Sequence, residues 1–166
     1  MDKELEASGE RRKAKRKKVE VDTNEMLSKC KALQKRMRDI LERDNENNRR
    51  GRIAIEKIKH VDEICNMLMN KTLQECLVDE GILNEVKGWL EPLPDRSLPN
   101  IKVKRRLLDV LKNMRIGREH LVSSGVGKIV YFYSINHKEC KEVRNMSKEL
   151  VRKWINEAFK DEEYSC

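Results

Sequence analysis

Apolar residues recur at alternating steps of three and four along most of this chain, and this spacing constrains the fold more than any other feature. Between residues 22 and 50 they are Met26, Cys30, Leu33, Met37 and Ile40. Such spacing places apolar side chains along one side of an α-helix. We therefore expect a helix that Asp22 or Thr23 caps, with Glu25 in a capping box. The polar run NENNRR and Gly51 should end it.

Similar apolar stripes continue towards the C-terminus and predict further short helices. They run through residues 54–68, 73–77 and 82–90, and Gly81 should end the second of these. The segment EPLPDRSLPN (91–100) then holds all three prolines of the chain, so we expect a loop there. Asn100 should cap the helix that follows it.

The remaining sequence predicts a brief helix at 117–124, a buried helix near residues 129–133 and a last helix at 141–160. Taken alone, KIVYFYSI would suit a strand. A single strand has no partner in a helical chain, so we predict a helix there. Trp154 should lie in the core with Leu150 and Val151. Seven or eight short helices predict an all-α superhelical array, similar to HEAT or armadillo folds.

The charge of the chain predicts an acidic partner. The formal net charge is +8, which suits nucleic acid, an acidic protein segment or a membrane surface. No run approaches about 18 apolar residues, so we expect no membrane span. Five cysteines, an odd number at irregular spacing, are typical of reduced thiols in the cytosol or nucleus.

Residues 1–21 differ from the rest because they show no apolar periodicity, and we expect a disordered basic tail. Seven of the eight residues at 11–18 are basic. Such a run suits nuclear import or contact with nucleic acid, and its alternative is a solvated charged tail. The candidate residues are Arg11, Arg12, Lys13, Lys15, Arg16, Lys17 and Lys18.

The sequence offers no credible catalytic or cofactor site. SSGVGKIV (123–130) resembles a phosphate loop, but Val122 stands where the first glycine belongs, and Ile129 replaces the hydroxyl residue that holds Mg²⁺. His137 and Cys140 lack a second pair of zinc ligands nearby. We therefore expect no enzyme, no bound metal and no cofactor.

Three motifs over residues 89–160 resemble the Iws/Spn family of transcription elongation factors. They are LPDRSLPN, REHLVSSGVGKIV and the final LV-x-x-W. The resemblance implies a TFIIS N-terminal (LW) type bundle at 92–160, with added helices at 22–91, and a nuclear location. Ser147 and the aromatic run 131–133 depart from the family's usual residues. The resemblance explains the glycines too: Gly125 should end one helix and Gly127 should let the next start at an angle, with Lys128 on the surface.

The resemblance also implies a partner, which is a short segment of the histone chaperone Spt-six, linking RNA polymerase II transcription with chromatin. The loop at 91–100 places apolar residues beside a basic helix, which suits an acidic segment with apolar anchors. A stiff linker whose leucines staple helices is the alternative. The predicted peptide-binding residues are Trp89, Leu90, Leu93, Leu98, Ile101, Lys102, Lys104 and Arg105.

A second functional hypothesis is a nucleic-acid or nucleosome-binding module. Its phosphate contacts would come from residues 11–18 and the basic cluster at 102–106. Both hypotheses predict a monomer without a membrane partner.

Overall fold

The computed structural model describes the backbone of residues 2–164 and the side chains of residues 22–158 and 160. This part of the chain forms eight helices and no strand, which confirms the all-α prediction. The helices are α1 (Asp2–Arg49), α2 (Glu56–Leu68), α3 (Lys71–Asp79), α4 (Ile82–Leu90), α5 (Ile101–Asn113), α6 (Arg118–Ser124), α7 (Val126–Ile135) and α8 (Lys141–Tyr164). Among the residues described, none of these helices has both the length and the apolar character of a membrane span.

Local residue chemistry sets the ends of several helices. Gly81 and Gly125 take the left-handed conformation, with φ of 89° and 69°, where a side chain would be strained. The side chain of Asn100 caps α5 by accepting the Lys102 main-chain N–H. Gly125 is the last residue before α7, so Gly127 lies inside that helix. The predicted corner therefore depends on Gly125 alone, and the expected role of Gly127 was wrong.

The first helix is longer than the sequence predicted. Its backbone is helical from Asp2, so Asp22 and Thr23 lie inside α1 and cap nothing. The structure differs here from the irregular tail expected at 1–21. Lysine, arginine, glutamate and alanine favour helix without any need to bury a face, and they make up most of this segment. The division of the chain at residues 21 and 91 remains a prediction.

Helix α4 lies at the centre of the fold. It packs against α1 and α3 on the N-terminal side and against α5, α6 and α7 on the C-terminal side. Its buried residues lie on one side of the helix, at the spacing of a single amphipathic stripe, namely Ile82, Leu83, Val86, Trp89 and Leu90. This stripe faces the core, whereas Asn84 on the other side of the helix is exposed. Around it, α2 packs on α1 and α5, and α8 packs on α5 and α7.

Two polar contacts fix α4 within the core. The Trp89 indole N–H donates to the Met37 carbonyl of α1 at 2.9 Å. The Tyr133 hydroxyl of α7 donates to the Leu90 carbonyl at 2.5 Å. Burial raises the pKa of Tyr133 because it penalises the phenolate. Trp154 is buried, as predicted. The described cysteines, Cys30, Cys65, Cys76 and Cys140, are all free thiols.

Candidate functional site

The proline-rich loop at 91–100 has a defined conformation. The Leu93 N–H donates to the Ser97 carbonyl, and the Arg96 N–H donates back to the Leu93 carbonyl, each at 2.8 Å. The Asp95 carboxylate accepts both the main-chain N–H and the hydroxyl of Ser97, at 2.9 and 2.6 Å. These hydrogen bonds hold the pKa of Asp95 below its usual range. The loop is therefore pre-shaped, which lowers the entropy lost when it binds a partner.

The loop is also tied to the C-terminal end of α1. The Asp95 N–H donates to the side-chain oxygen of Asn48 at 3.0 Å. The connection between α1 and α2 carries Ile53, an isoleucine that is 80% exposed. Nearby, the Asp44 carboxylate caps α2 by accepting the main-chain N–H groups of Glu56 and Lys57, both at 2.9 Å. One edge of the molecule thus joins the loop at 91–100 to the end of a helix that lies far away in sequence.

A buried lysine supports the start of this loop. The Lys57 ammonium donates to the Trp89 carbonyl at 3.4 Å, and the residue is only 3% exposed. Burial lowers its pKa, and the nearby Asp44 carboxylate opposes that shift. The sequence did not single out Lys57 or Asp44, because Lys57 lies between apolar helix positions and carries no motif.

Two of the predicted peptide-binding residues do not reach the surface. Trp89 and Leu90 are fully buried in the core around α4. Both residues belong to the single apolar stripe of α4, which faces the core, where the Trp89 indole bonds to α1 and the Leu90 carbonyl accepts from α7. The prediction that these two side chains line a groove is therefore incorrect. They are the last residues of α4 and fix the point in the core from which the loop at 91–100 begins.

Lys104 is a third predicted peptide-binding residue that does not lie on the surface. It is buried, and its ammonium lies 2.5 Å from the carboxylate of Glu139, which precedes α8 and is also buried. The same ammonium lies 5.7 Å from the ring centroid of Tyr133, a cation–π contact. Since Lys102 points outward and Lys104 inward, Lys104 cannot form part of an exposed rim. This pair joins α5 to the segment between α7 and α8.

The other basic residues of α5 lie at the surface in ion pairs. Lys102 lies 2.9 Å and Arg106 3.1 Å from the carboxylate of Asp62 on α2. The hydrogen bond from Lys102 is the main reason that the pKa of Asp62 is lowered. Arg105 pairs with Glu142 of α8. The cluster at 102–106 is therefore largely neutralised within the protein, which weakens its case as a phosphate-binding site.

Five predicted residues remain available to a partner, and we call them the loop surface. They are Leu93, Leu98, Ile101, Lys102 and Arg105. Leu93 and Leu98 are half-buried, and Ile101 is 38% exposed. Apolar side chains that are half covered, with cations beside them, form a shallow surface for a peptide. The sequence predicted this combination, although it also included three buried residues.

A second exposed apolar surface lies on α7, and we call it the α7 face. It consists of Lys128, Tyr131, Phe132 and Ile135. Tyr131 and Ile135 are more than half exposed, and Phe132 is 40% exposed. Exposed aromatic side chains are common anchors in protein interfaces. The aromatic run 131–133 was noted in the sequence only as a departure from the family's usual residues, and Tyr133 alone of the three is buried.

The remaining candidate residues carry little chemistry. Gly125 lies at the corner between α6 and α7, and Lys128 lies exposed on α7. The segment 123–130 therefore has no phosphate-loop geometry. Among the described residues, histidines, cysteines and carboxylates do not gather into a group of three that could hold a metal ion. The basic residues at 11–18 lie outside the described side chains. They remain candidates from sequence alone.

Comparison with known proteins gives this fold a class. The sequence profile of the Med26 family, a TFIIS helical bundle-like domain, matches residues 106–158. This range contains most of α5, all of α6 and α7, and α8 to residue 158. The C-terminal part of the fold is thus a TFIIS-type helical bundle, and α1–α4 are packed in front of it.

Relatives over a larger part of the chain narrow the class to a family. Protein IWS1 homolog 1 of Arabidopsis thaliana is 37% identical over 151 residues, which is 87% of this chain and 30% of that protein. Transcription factor iws1 of Schizosaccharomyces pombe is 37% identical over 128 residues, 77% of this chain and 30% of its own length. The chain thus spans about 30% of each of these relatives.

A solved structure agrees with these relatives. A chain in the crystal structure of a Spt6-Iws1(Spn1) complex from Encephalitozoon cuniculi is 65% identical, with a TM-score of 0.80. The match covers 81% of this chain and 98% of that one. The protein described here belongs to the IWS1 (Spn1) family of transcription factors.

Proposed function

We propose that this chain is the helical core of a transcription elongation factor that binds a short segment of the histone chaperone Spt6. The observation that carries the proposal is its 65% identity, over nearly the whole matched chain, to a component of a Spt6-Iws1 complex. At this identity surface residues as well as core residues are largely shared. The bound segment would come from the N-terminal region of Spt6, and the binding would couple Spt6 to RNA polymerase II transcription in the nucleus.

The role is non-enzymatic in this proposal. The described residues provide two exposed apolar surfaces and several ion pairs, which are features of a binding module. The relatives are named as transcription factors. We infer that the protein acts as a monomeric scaffold, and that contacts with polymerase or nucleosomes involve other parts of the assembly or the basic residues at 11–18.

The loop surface is our first choice for the Spt6 segment. Asn48 and Ser97 hold the loop in shape, so its half-buried leucines need little ordering on binding. The ammonium of Lys102 lies at the surface in its pair with Asp62, where a carboxylate of an acidic segment can replace Asp62 as its partner. Because the N–H groups at a helix N-terminus also favour anions, the charge of the side chain and that of the helix end act together.

The test is a calorimetric titration of an N-terminal Spt6 segment against the full chain and its variants. Lys102→Glu should weaken binding by roughly tenfold or more, since it removes an attraction and adds a repulsion. The same change also breaks the ion pair with Asp62. The double variant Asp62→Lys with Lys102→Glu re-forms that pair in reverse. Weak binding by both variants would show that Lys102 acts through contact with the Spt6 segment and not through its ion pair with Asp62.

Two outcomes would contradict this placement. Recovery of affinity in the double variant would mean that the single change acted through the fold of α2 and α5. Unchanged affinity in Lys102→Glu, with loss in Phe132→Ser, would move the site to the α7 face. Failure of the wild-type chain to bind any Spt6 segment would reject the proposed function itself.

A further inference from the structure

The first half of α8 carries a row of cations. Arg144, Lys148 and Arg152 follow each other at intervals of four residues, and Lys141 lies three residues before the first. Residues at these intervals share one side of a helix. Lys141, Lys148 and Arg152 are exposed, and Arg144 is half-buried. We call these four residues the α8 ridge. It lies opposite Val143, Ser147, Leu150 and Trp154, which are the buried residues of this helix.

Among the residues described, none of the four cations of the ridge forms an ion pair. Ion pairs engage Lys102, Lys104, Arg105 and Arg106 of α5, whereas none involves a residue of the ridge. The Nε–H of Arg144 is buried and lacks an acceptor. Glu142 points towards α5, where it pairs with Arg105. Glu149 lies three residues before Arg152, but among the described residues no ion pair joins the two. The positive charge of the ridge is therefore directed to solvent.

This arrangement opposes the stability of the helix. Arg144 with Lys148, and Lys148 with Arg152, are like-charge pairs at the four-residue interval, and such pairs destabilise a helix. Lys141 and Arg144 also lie in the first turns, where the helix dipole disfavours cations. A polyanion along the ridge would relieve both effects. The local electrostatics thus favours a negatively charged occupant.

We propose that the α8 ridge binds the phosphate backbone of duplex DNA. The helical rise of about 1.5 Å per residue spaces Lys141, Lys148 and Arg152 at roughly 10 and 6 Å along the axis, within reach of phosphates on one strand. The ridge residues include no aromatic side chain, whereas proteins that bind single strands stack bases on aromatic rings. The half-exposed Ile155 lies on the same side three residues after Arg152, so an apolar anchor is present only at the end of the row and not between its cations. A straight, basic helix suits a stiff duplex.

Fluorescence anisotropy with a labelled duplex of random sequence tests the proposal on the full chain. The variant Lys141→Gln, Lys148→Gln, Arg152→Gln should bind about tenfold or more weakly at about 0.1 M salt. The slope of log K against log salt should become shallower by nearly three, since about one counterion is released for each phosphate contact. Its melting temperature should stay the same or rise, because the like-charge pairs are removed.

The matched control removes three exposed lysines from α1 in the variant Lys29→Gln, Lys31→Gln, Lys35→Gln. Both variants change the net charge equally and leave residues 1–21 intact, so an effect of total charge would appear in both. The proposal is overturned by equal loss in the control or by no loss in the ridge variant. A larger loss of affinity for single-stranded RNA than for the duplex in the ridge variant would also overturn it. Weaker binding of the Spt6 segment by the ridge variant, with unchanged binding of the duplex, would overturn it as well.

Discussion

The indole N–H of Trp89 donates to the main-chain carbonyl of Met37 at 2.9 Å, which fastens α4 to the C-terminal third of α1 across 52 positions of sequence. Both residues are fully buried. A carbonyl oxygen has two lone pairs, so Met37 can accept this bond in addition to the one within its own helix. The side chain of Trp89 therefore holds α4 in a fixed position against α1.

Trp89→Phe should lower the free energy of unfolding by about 1–3 kcal/mol, because a buried hydrogen bond is lost and the ring is smaller. Urea unfolding followed by circular dichroism measures the change. Trp154→Phe is the control, since the buried indole nitrogen of Trp154 has no acceptor in the described residues. The replacement at 154 should cost less. Equal losses would show that ring size alone sets the effect.

The two glycines of the segment SSGVGKIV should respond in opposite ways to alanine. Gly125 has φ of 69°, and an added Cβ would lie 3.3 Å from the ammonium of Lys87. Gly127 lies inside α7 with open space around an added Cβ. Gly125→Ala should therefore destabilise the fold by about 1 kcal/mol or more, whereas Gly127→Ala should stabilise it by up to about 1 kcal/mol. Thermal melts compare the two variants, and a loss at Gly127 would contradict the assignment of the corner.

Breaking the buried pair of Lys104 and Glu139 should be costly. Removal of one partner, in Lys104→Met or Glu139→Leu, should lower the free energy of unfolding by about 3–5 kcal/mol, because the other charge stays buried alone. The double variant Lys104→Met with Glu139→Leu should lose less than either single change. A double-mutant cycle by urea unfolding gives the coupling energy. Additive losses would mean that the two charges do not interact.

Ser147 should be replaceable with a gain in stability. Its hydroxyl is fully buried without a hydrogen-bond partner in the described structure. Ser147→Ala should stabilise the protein by about 1 kcal/mol, since a buried hydroxyl without a partner costs free energy. Ser134→Ala is the control, because the Ser134 hydroxyl donates to the Tyr131 carbonyl at 2.5 Å. The control should gain nothing, and a loss at Ser147 would indicate that its hydroxyl has an acceptor.

The helices were predictable where their ends depend on local chemistry. Gly81, Gly125 and Asn100 act through their own main chain and nearest neighbours, and the sequence located all three correctly. The start of the first helix was not predictable, because an apolar stripe marks where a helix is covered and not where its backbone begins. The helical state of 129–133 was correctly inferred from the lack of a strand partner.

The candidate site was only partly predictable because its geometry depends on distant residues. Lys104 is buried because Glu139, 35 positions later, covers it. Asp62 and Glu142 neutralise the basic cluster from two other helices, and no spacing within 102–106 indicates that. By contrast, Leu93 and Leu98 follow from the prolines, which prevent a helix and keep the segment near the surface. The periodicity of apolar residues does not show which distant residues will form ion pairs with each other.

The central position of α4 has a consequence for cooperativity. Its side chains complete the cores of the helices on both sides, so neither half keeps an intact interior without it. A fragment restricted to residues 106–158 would expose the surfaces of α5 and α7 that α4 now covers. The chain should therefore melt in one transition, and the main-chain amides around Val86 should be among the last to exchange with deuterium, because only global unfolding exposes them.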